Sequence, residues 1–378
     1  MVDKQANVFN PKSRFYFLDA LRGFAALAVV FFHLYGNLKN EVSNWFPASL
    51  GIVLEHGYLG VPVFFVISGF VITHSVSCSQ INPSYIGRFA LRRAIRLDPP
   101  YWAMIAISIS LIFIENKYFG TNKIIPKPNE VFSHLFYLQD ILGYHPISSV
   151  FWTLCLEVQL YLSYILLSWI SIIICKYIAG INFSEVHSFI LIGLGTYSIA
   201  SYLGLVATGP TGSFIQFWHF FLLGYLAYKS IETKNSNYYK IYISYVIVLS
   251  LYTKININVI ASMVTSFVII LSGRNRFIYT GFNNFIFQYF GIISYSLYLS
   301  HAEIGWKVIS LIKRFLYSDA NQLNFYEFII AFLCGIIASV VVAHLLYRFI
   351  ELPSNRLSKT LKKSTSMNKA TRVVVATE

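Results

Sequence analysis

Long apolar runs recur along most of this chain of 378 residues. A helix rises about 1.5 Å per residue, so about 20 apolar residues cross a hydrocarbon layer of about 30 Å. Backbone polar groups in that layer must be paired, and a helix pairs them within each run. The sequence therefore predicts an all-α polytopic membrane protein, a bundle of about ten transmembrane helices. The runs lie near residues 17–35, 57–74, 99–114, 151–174, 188–207, 214–229, 239–253, 255–272, 285–304 and 326–349.

Composition agrees with this fold class. The chain is 56% hydrophobic and only 12% charged, which excludes an ordinary soluble domain. The four cysteines are scattered without metal-ligand spacing, so no metal site is predicted. We expect a cytoplasmic N-terminal segment at 1–13, a transmembrane domain at 14–357 and a basic cytoplasmic tail at 358–378.

The positive charges predict the orientation of the bundle. With the N-terminus in the cytoplasm, about 20 of the 29 Lys and Arg residues fall on the cytoplasmic side and about eight outside. The sequence thus predicts that both termini are cytoplasmic. The same bias, together with contact to anionic lipid, accounts for the net charge of +13 without nucleic acid as a partner.

The first apolar run carries three polar side chains that are costly in hydrocarbon, Asp19, Arg22 and His33. At about 100° per residue, Arg22 and His33 lie about 20° apart around a helix, and Asp19 lies about 40° from His33. Arg22 and His33 are about 16 Å apart along the axis. This polar stripe must face protein or water. It predicts a cavity that serves a reaction or a transport path.

The densest charge in the chain precedes Pro99 and Pro100. On a short helix, Arg92, Arg93 and Arg96 would form a broad cationic surface with forked donors suited to phosphate groups. By the predicted topology this surface faces the cytoplasm. Anchoring to anionic lipid is the open alternative.

Another polar position lies near the start of the run at 151–174. Glu157 stands about one and a half turns inside it, at about the depth inferred for His33. A carboxylate there could pair with the imidazole, orienting the ring and raising its basicity. A protonated structural glutamate bonded between helices is the alternative. His301 and Glu303, near the outer end of a later run, suit a hydrated interfacial pair as well as a site.

The run near 57–74 is rich in small residues, including Gly57, Gly60 and Gly69. Small residues let helix backbones approach closely, and they also occur in broken helices that line cavities. We expect close packing here. The chain has no P-loop, Rossmann or zincin motif, so nothing favours those chemistries.

Seven segments, taken in order, resemble the acyltransferase 3 family of integral-membrane acyltransferases. Their order and spacing agree with the family from about residue 14 to residue 357. The segments are LDALRGFAALAVVFFH at 18–33, GYLGVPVFFVISGFVIT at 57–73, RRAIRLDPPYW at 92–102, FWTLCLEVQLY at 151–161, FFLLGYLAY at 220–228, ISYSLYLSH at 293–301 and YRFIELPSNRL at 347–357.

The resemblance implies that residues 14–357 form a ten-helix acyltransferase domain in the cell (inner or plasma) membrane. Such a bundle takes an acyl group from cytoplasmic acyl-CoA, here expected to be acetyl-CoA, and passes it to a hydroxyl, commonly on a cell-envelope polysaccharide. No cofactor is expected to be bound permanently.

His33 matches the family's essential histidine, and Glu157 matches the glutamate of its WxLxxE motif. We expect neutral His33 to take the proton of the acceptor hydroxyl, with direct transfer and a covalent acyl intermediate both open. The predicted catalytic residues are His33, Glu157 and Asp19; the donor-binding residues are Arg22, Arg92, Arg93 and Arg96; and the substrate-binding residues are Trp152, Tyr161 and Ser68.

Two positions depart from the family pattern. Pro62 stands where many relatives have a polar or acidic residue, and Val150 stands where several have a histidine. Both bear on the choice of acceptor. The chain also has no counterpart of the extracellular hydrolase-like domain fused to some members. We therefore expect it to act alone, as a homo-oligomer, or with a separate extracytoplasmic partner.

A proton-coupled transporter or lipid-linked glycan exporter is the rival hypothesis, in which Asp19, His33 and Glu157 relay protons. An exporter of this kind should show repeat symmetry between its halves. The arginine-rich segment has no counterpart in the second half of the chain. A purely structural membrane protein explains none of the converging charge.

Overall fold

The structure, a computed structural model, describes residues 14–42, 45–76, 81–178, 180–254, 256–316 and 322–361. Within these ranges the chain is helical and contains no β-strand. The predicted N-terminal segment at 1–13 and most of the predicted tail, 362–378, lie outside the described residues. The α-helices are α1 (Tyr16–Val42), α2 (Ala48–Glu55), α3 (Gly60–Ser75), α4 (Pro83–Phe119), α5 (Pro128–Leu135), α6 (Trp152–Tyr177), α7 (Phe183–Tyr202), α8 (Trp218–Glu232), α9 (Asn237–Tyr252), α10 (Ile257–Arg274), α11 (Phe285–Leu316) and α12 (Phe325–Leu346).

Several of these helices are long and apolar enough to cross a membrane. Six such stretches occur in the described chain: Tyr16–Val42, Ala48–Ser75, Pro83–Phe119, Trp152–Tyr177, Ile257–Arg274 and Phe325–Leu361. The all-helical, multi-pass fold class is thereby confirmed. The described helices of 15 residues or more each overlap a predicted run, but α8 and α9, with 15 and 16 residues, are short for a full span. The count of about ten spans and the cytoplasmic placement of both termini stay predictions.

Helix α4 differs from its predicted extent. The sequence placed the arginines on a short helix and began the next span near residue 99, but α4 continues for 37 residues through Pro99 and Pro100. Neither proline has a backbone N–H, so neither can donate a hydrogen bond to the carbonyl in the preceding turn. In this region the Leu97 carbonyl accepts a 2.7 Å hydrogen bond from the Tyr295 hydroxyl of α11. A helix of this length, about 55 Å, exceeds the hydrocarbon thickness.

Glycines bring the backbones of α3 and α8 into contact. A Cβ atom on Gly69 would lie 2.0 Å from the carbonyl oxygen of Phe221, and one on Gly224 would lie 1.9 Å from that of Val66. Real Cβ atoms do not approach backbone so closely, so only glycine permits this crossing. The close packing predicted for the run near 57–74 is confirmed.

We expect Gly224→Ala to destabilise the protein even though alanine is the better helix former. Overpacking typically costs about 1–3 kcal/mol, which exceeds the gain of about 1 kcal/mol in helix propensity. The measurement is the thermal unfolding midpoint and the monodisperse yield in detergent micelles. Gly193→Ala in α7 is the matched control, because a Cβ there meets nothing within 4 Å. A midpoint that rises equally in both variants would contradict this account of the α3–α8 contact.

Helix α1 packs against α11, α3 and α12 in the described bundle. Its polar stripe faces α11 along its whole length. A Cβ atom on Gly291 would lie 2.3 Å from the Asp19 carbonyl, Arg22 shares a cavity wall with Ser294, and His33 contacts His301. The stripe therefore faces protein and, at Asp19, the exposed side chain of Arg14, which agrees with the prediction that it faces protein or water.

Candidate functional site

A small cavity lies among α1, α3, α6 and α11. Its volume is about 50 Å³, which is room for a few water molecules or part of an unbranched chain. The wall is largely apolar, with several polar groups that converge on the space. These polar residues are Arg22, Ser68, Thr153, Glu157, Tyr295 and Tyr298.

Glu157 is held by two neighbouring hydroxyls. Ser68 Oγ donates to its carboxylate at 3.2 Å, and the Tyr161 hydroxyl also donates to Glu157 Oε1. The two hydroxyl oxygens are themselves 3.2 Å apart. Tyr161 lies one helical turn beyond Glu157, so both side chains project from the same face of α6. The predicted substrate-binding residues Ser68 and Tyr161 thus meet at Glu157.

Arg93 reaches this cluster from α4. Its guanidinium lies 4.9 Å from the centroid of the Tyr161 ring, a cation–π distance, and it interacts electrostatically with Glu157. Arg22 and Arg96 also lie within electrostatic range of Arg93. Three of the four predicted donor-binding arginines therefore converge near one end of the cavity.

Arg92 does not join this group. Its guanidinium lies 5.9 Å from the centroid of the Tyr85 ring, and its carbonyl accepts a 2.9 Å hydrogen bond from Ser358. The Arg92 guanidinium contacts Tyr85, whereas that of Arg93 contacts Tyr161, so the two side chains do not share one surface. The single cationic surface that we expected from all three arginines of α4 is wrong in this respect.

Glu351 is a site residue that the sequence analysis missed. It is 4% exposed and lies on the π-helical turn Tyr347–Glu351 that follows α12. Its carboxylate accepts a 2.6 Å hydrogen bond from Ser296 Oγ and interacts electrostatically with Arg96 and Arg22. An acidic residue at the end of a strongly apolar run was the signal that could have identified it.

The charges of the cluster do not cancel when all are ionised. Three guanidiniums, from Arg22, Arg93 and Arg96, face two carboxylates, from Glu157 and Glu351. Charged groups within a membrane protein are stable only when they are paired or solvated. The uncompensated positive charge favours an anionic ligand at this end of the cavity.

Two histidines form the other part of the site. His33 Nδ1 lies 3.0 Å from His301 Nε2, and the Trp306 indole donates a 2.9 Å hydrogen bond to the His33 carbonyl. His301 is fully buried, and Glu303 lies instead near Lys307, at 3.9 Å. The interpretation of His301 and Glu303 as a hydrated interfacial pair is therefore wrong.

Tyr298 connects the histidine pair to the cavity. Its ring centroid is 5.7 Å from that of His301, and its hydroxyl accepts a 2.8 Å hydrogen bond from Thr153 Oγ1. Both Tyr298 and Thr153 line the cavity. An imidazole pair that can accept and donate a proton thus adjoins a space whose other end is cationic.

The predicted pairing of Glu157 with His33 is not formed in the described structure. Glu157 bonds to Ser68 and Tyr161, whereas His33 bonds to His301 and to its own helix. The two residues lie apart, because α6 contacts α3 and α4 rather than the C-terminal half of α1.

Asp19 and Trp152 also lie away from the predicted contacts. Asp19 pairs with Arg14 at 2.6 Å and is separated from His33 by about 21 Å of helix, so it cannot orient that ring. Trp152 is 37% exposed and packs against Phe217 at 5.7 Å between ring centroids. The next residue, Thr153, lines the cavity instead.

The fold and the site define an integral-membrane helix bundle with a charged cavity and a histidine pair. Comparison with known families is specific. The acyltransferase domain of the acyltransferase 3 family matches residues 15–348, and the chain belongs to this family.

Curated relatives agree with the family assignment. A protein of Staphylococcus aureus named as an O-acetyltransferase is 27% identical over 89% of this chain and 56% of its own length. A viral protein named as an acetyltransferase, from Acidianus two-tailed virus, is 30% identical over 38% of this chain and 37% of its own length. A Komagataeibacter xylinus protein named as a membrane-bound transacylase is 36% identical over 27% of this chain and 21% of its own length. The chain spans about half, or less, of the length of these relatives, and no solved structure matches it.

Proposed function

We propose that the protein is an O-acyltransferase of the cell membrane. It transfers an acyl group, in the first instance acetyl, from cytoplasmic acyl-CoA to a hydroxyl of a cell-envelope or exported polysaccharide. The observation that carries this proposal is a cavity with converging arginines near one end and, beyond Tyr298, the pair of His33 and buried His301. The O-acetyltransferase name of the Staphylococcus aureus relative supports an oxygen acceptor.

The arginine cluster, Arg22, Arg93 and Arg96, suits the phosphate groups of CoA. Guanidinium groups bind phosphate through forked, charge-assisted hydrogen bonds. Glu157 and Glu351 attract these guanidiniums electrostatically and offset part of their charge. The narrow cavity would then receive the thioester end of the pantetheine arm, which is unbranched near the sulfur.

His33 is the base in this proposal. It accepts the proton of the acceptor hydroxyl as the oxygen attacks the thioester carbonyl. The new C–O bond replaces the C–S bond, and the CoA thiolate leaves and receives the proton as free thiol. A covalent acyl intermediate would require the same base for each of its two steps, so His33 serves either route.

The proposal is tested by the ester content of the envelope. We expect cells that produce the protein to carry base-labile acetyl esters on surface polysaccharide that isogenic cells without it lack. Mild alkaline release of acetate from purified polysaccharide is the measurement, and inverted membrane vesicles given radiolabelled acetyl-CoA test the donor. Unchanged ester content, with a fall in the amount of surface polysaccharide, would support the exporter instead.

A further inference from the structure

The hydrogen bonds of His301 determine which of its nitrogens carries the proton. Its Nδ1 lies 2.8 Å from the Tyr298 carbonyl oxygen and 3.1 Å from that of Leu297. A carbonyl oxygen only accepts hydrogen bonds, so Nδ1 must be the donor. In the neutral ring, Nε2 then carries a lone pair and can only accept.

That lone pair faces His33. His301 Nε2 is 3.0 Å from His33 Nδ1, and two lone pairs do not face each other at this distance, so His33 Nδ1 carries a proton. The Val29 carbonyl oxygen, 3.1 Å from the same Nδ1, requires the same assignment. If a charged His301 donated from Nε2, His33 Nδ1 would be unprotonated. Its lone pair would then lie close to the Val29 carbonyl oxygen, which is also an acceptor, and the two would repel. An imidazolium at a fully buried position would also lose its hydration.

We propose that His301 is a positioning residue that holds His33 in its Nδ1–H tautomer and so makes His33 Nε2 the catalytic base. The inference rests on the proposed function. When Nε2 accepts the hydroxyl proton, the His33 ring becomes an imidazolium, and its Nδ1–H bond to His301 becomes charge-assisted. His301 keeps its own proton, because both carbonyls continue to hold Nδ1–H. The transferred proton then passes from His33 Nε2 to the departing thiolate.

The surroundings of His33 fix the orientation of its ring as well as its tautomer. The Trp306 indole lies 5.8 Å from the His33 ring between centroids and bonds to the His33 carbonyl. His301 is 46° from coplanar with His33. Partners that lock a ring in this way are the usual means by which an imidazole is kept ready for proton transfer.

The matched variants His301→Asn and His301→Gln separate positioning from packing. The glutamine amide reaches the place of Nε2 and can accept from His33 Nδ1–H, whereas the shorter asparagine amide reaches only the place of Nδ1. We expect His301→Asn to lower kcat about 10- to 100-fold with an unchanged KM for acetyl-CoA. We expect His301→Gln to keep kcat within a few-fold of wild type. Equal losses in both variants, or no loss in either, would overturn the inference.

A direct readout is ¹⁵N NMR of the histidine-labelled protein in detergent micelles, with the His33 signals assigned by their absence in His33→Gln. We expect an unprotonated Nε2 in the wild type at neutral pH and a mixture of tautomers in His301→Asn. A wild-type His33 with its proton on Nε2 would refute the assignment. This outcome is distinct from failure of the proposed function, which would appear as undiminished ester formation in His33→Ala.

Discussion

His33→Ala should abolish ester formation while the protein remains folded in the membrane. A positioned general base contributes typically about 100- to 10,000-fold, and the residues that line the described cavity include no imidazole that could replace His33. His301 Nε2 is not placed to substitute, because it lies 3.0 Å from His33 Nδ1 and therefore beyond the His33 ring from the position of His33 Nε2. The measurement is acetate release from surface polysaccharide, normalised to the amount of protein in the membrane.

His344→Ala is the control for loss of a half-buried imidazole. His344 bonds to the Tyr289 hydroxyl at 3.2 Å, outside the cavity wall, so we expect activity close to wild type. His33→Gln is a companion variant, because an amide keeps a polar group at the site without a base. Wild-type ester levels in a normally expressed His33→Ala protein would remove His33 from the mechanism.

Arg93→Ala should impair use of the donor far more than use of the acceptor. Charge-assisted contacts of this kind contribute about 1.5–3 kcal/mol each, or roughly 10- to 100-fold in apparent affinity. We therefore expect the KM for acetyl-CoA to rise by that factor and high donor concentration to restore part of the rate. Initial rates in membrane vesicles, measured over a range of acetyl-CoA concentrations, provide the test.

Arg88→Ala removes the same charge from the same helix and serves as the control. Arg88 bonds to Ser84 at 2.5 Å, one turn away, and is not among the groups that interact electrostatically with Arg93. We expect its KM for acetyl-CoA to change little. Glu157→Gln should shift the donor KM in the same direction as Arg93→Ala, because it removes the charge that holds the guanidinium. If added acetyl-CoA restores nothing in Arg93→Ala, the arginines anchor lipid rather than donor.

Much of this fold follows from local properties of the sequence. Hydrophobic runs of span length predict helices whatever their neighbours, since backbone pairing inside a membrane has few solutions. The helical period likewise places Asp19, Arg22 and His33 on one stripe, and the high cost of charge in lipid turns that stripe toward protein. In the structure the stripe faces α11.

The partners within the site were not predictable in the same way. Similar depth suggested that Glu157 and His33 would pair, but depth is a coordinate along the membrane normal and says nothing about which helices are neighbours. The tertiary structure places Glu157 beside Ser68 and Tyr161, and it places His301 beside His33. His301 resembles an interfacial residue in the sequence because it lies near Glu303 and Lys307.

The sequence by itself therefore determined the class of protein, the helical faces and the stripe that must be buried, because each depends on local periodicity and on the cost of moving polar groups into hydrocarbon. Only the tertiary structure decided which polar groups meet. Glycine contacts such as Gly224 against Val66 set how closely the helices approach, and the π-turn after α12 brings Glu351 to the arginines. Such contacts join residues far apart in the chain, and no local pattern encodes them.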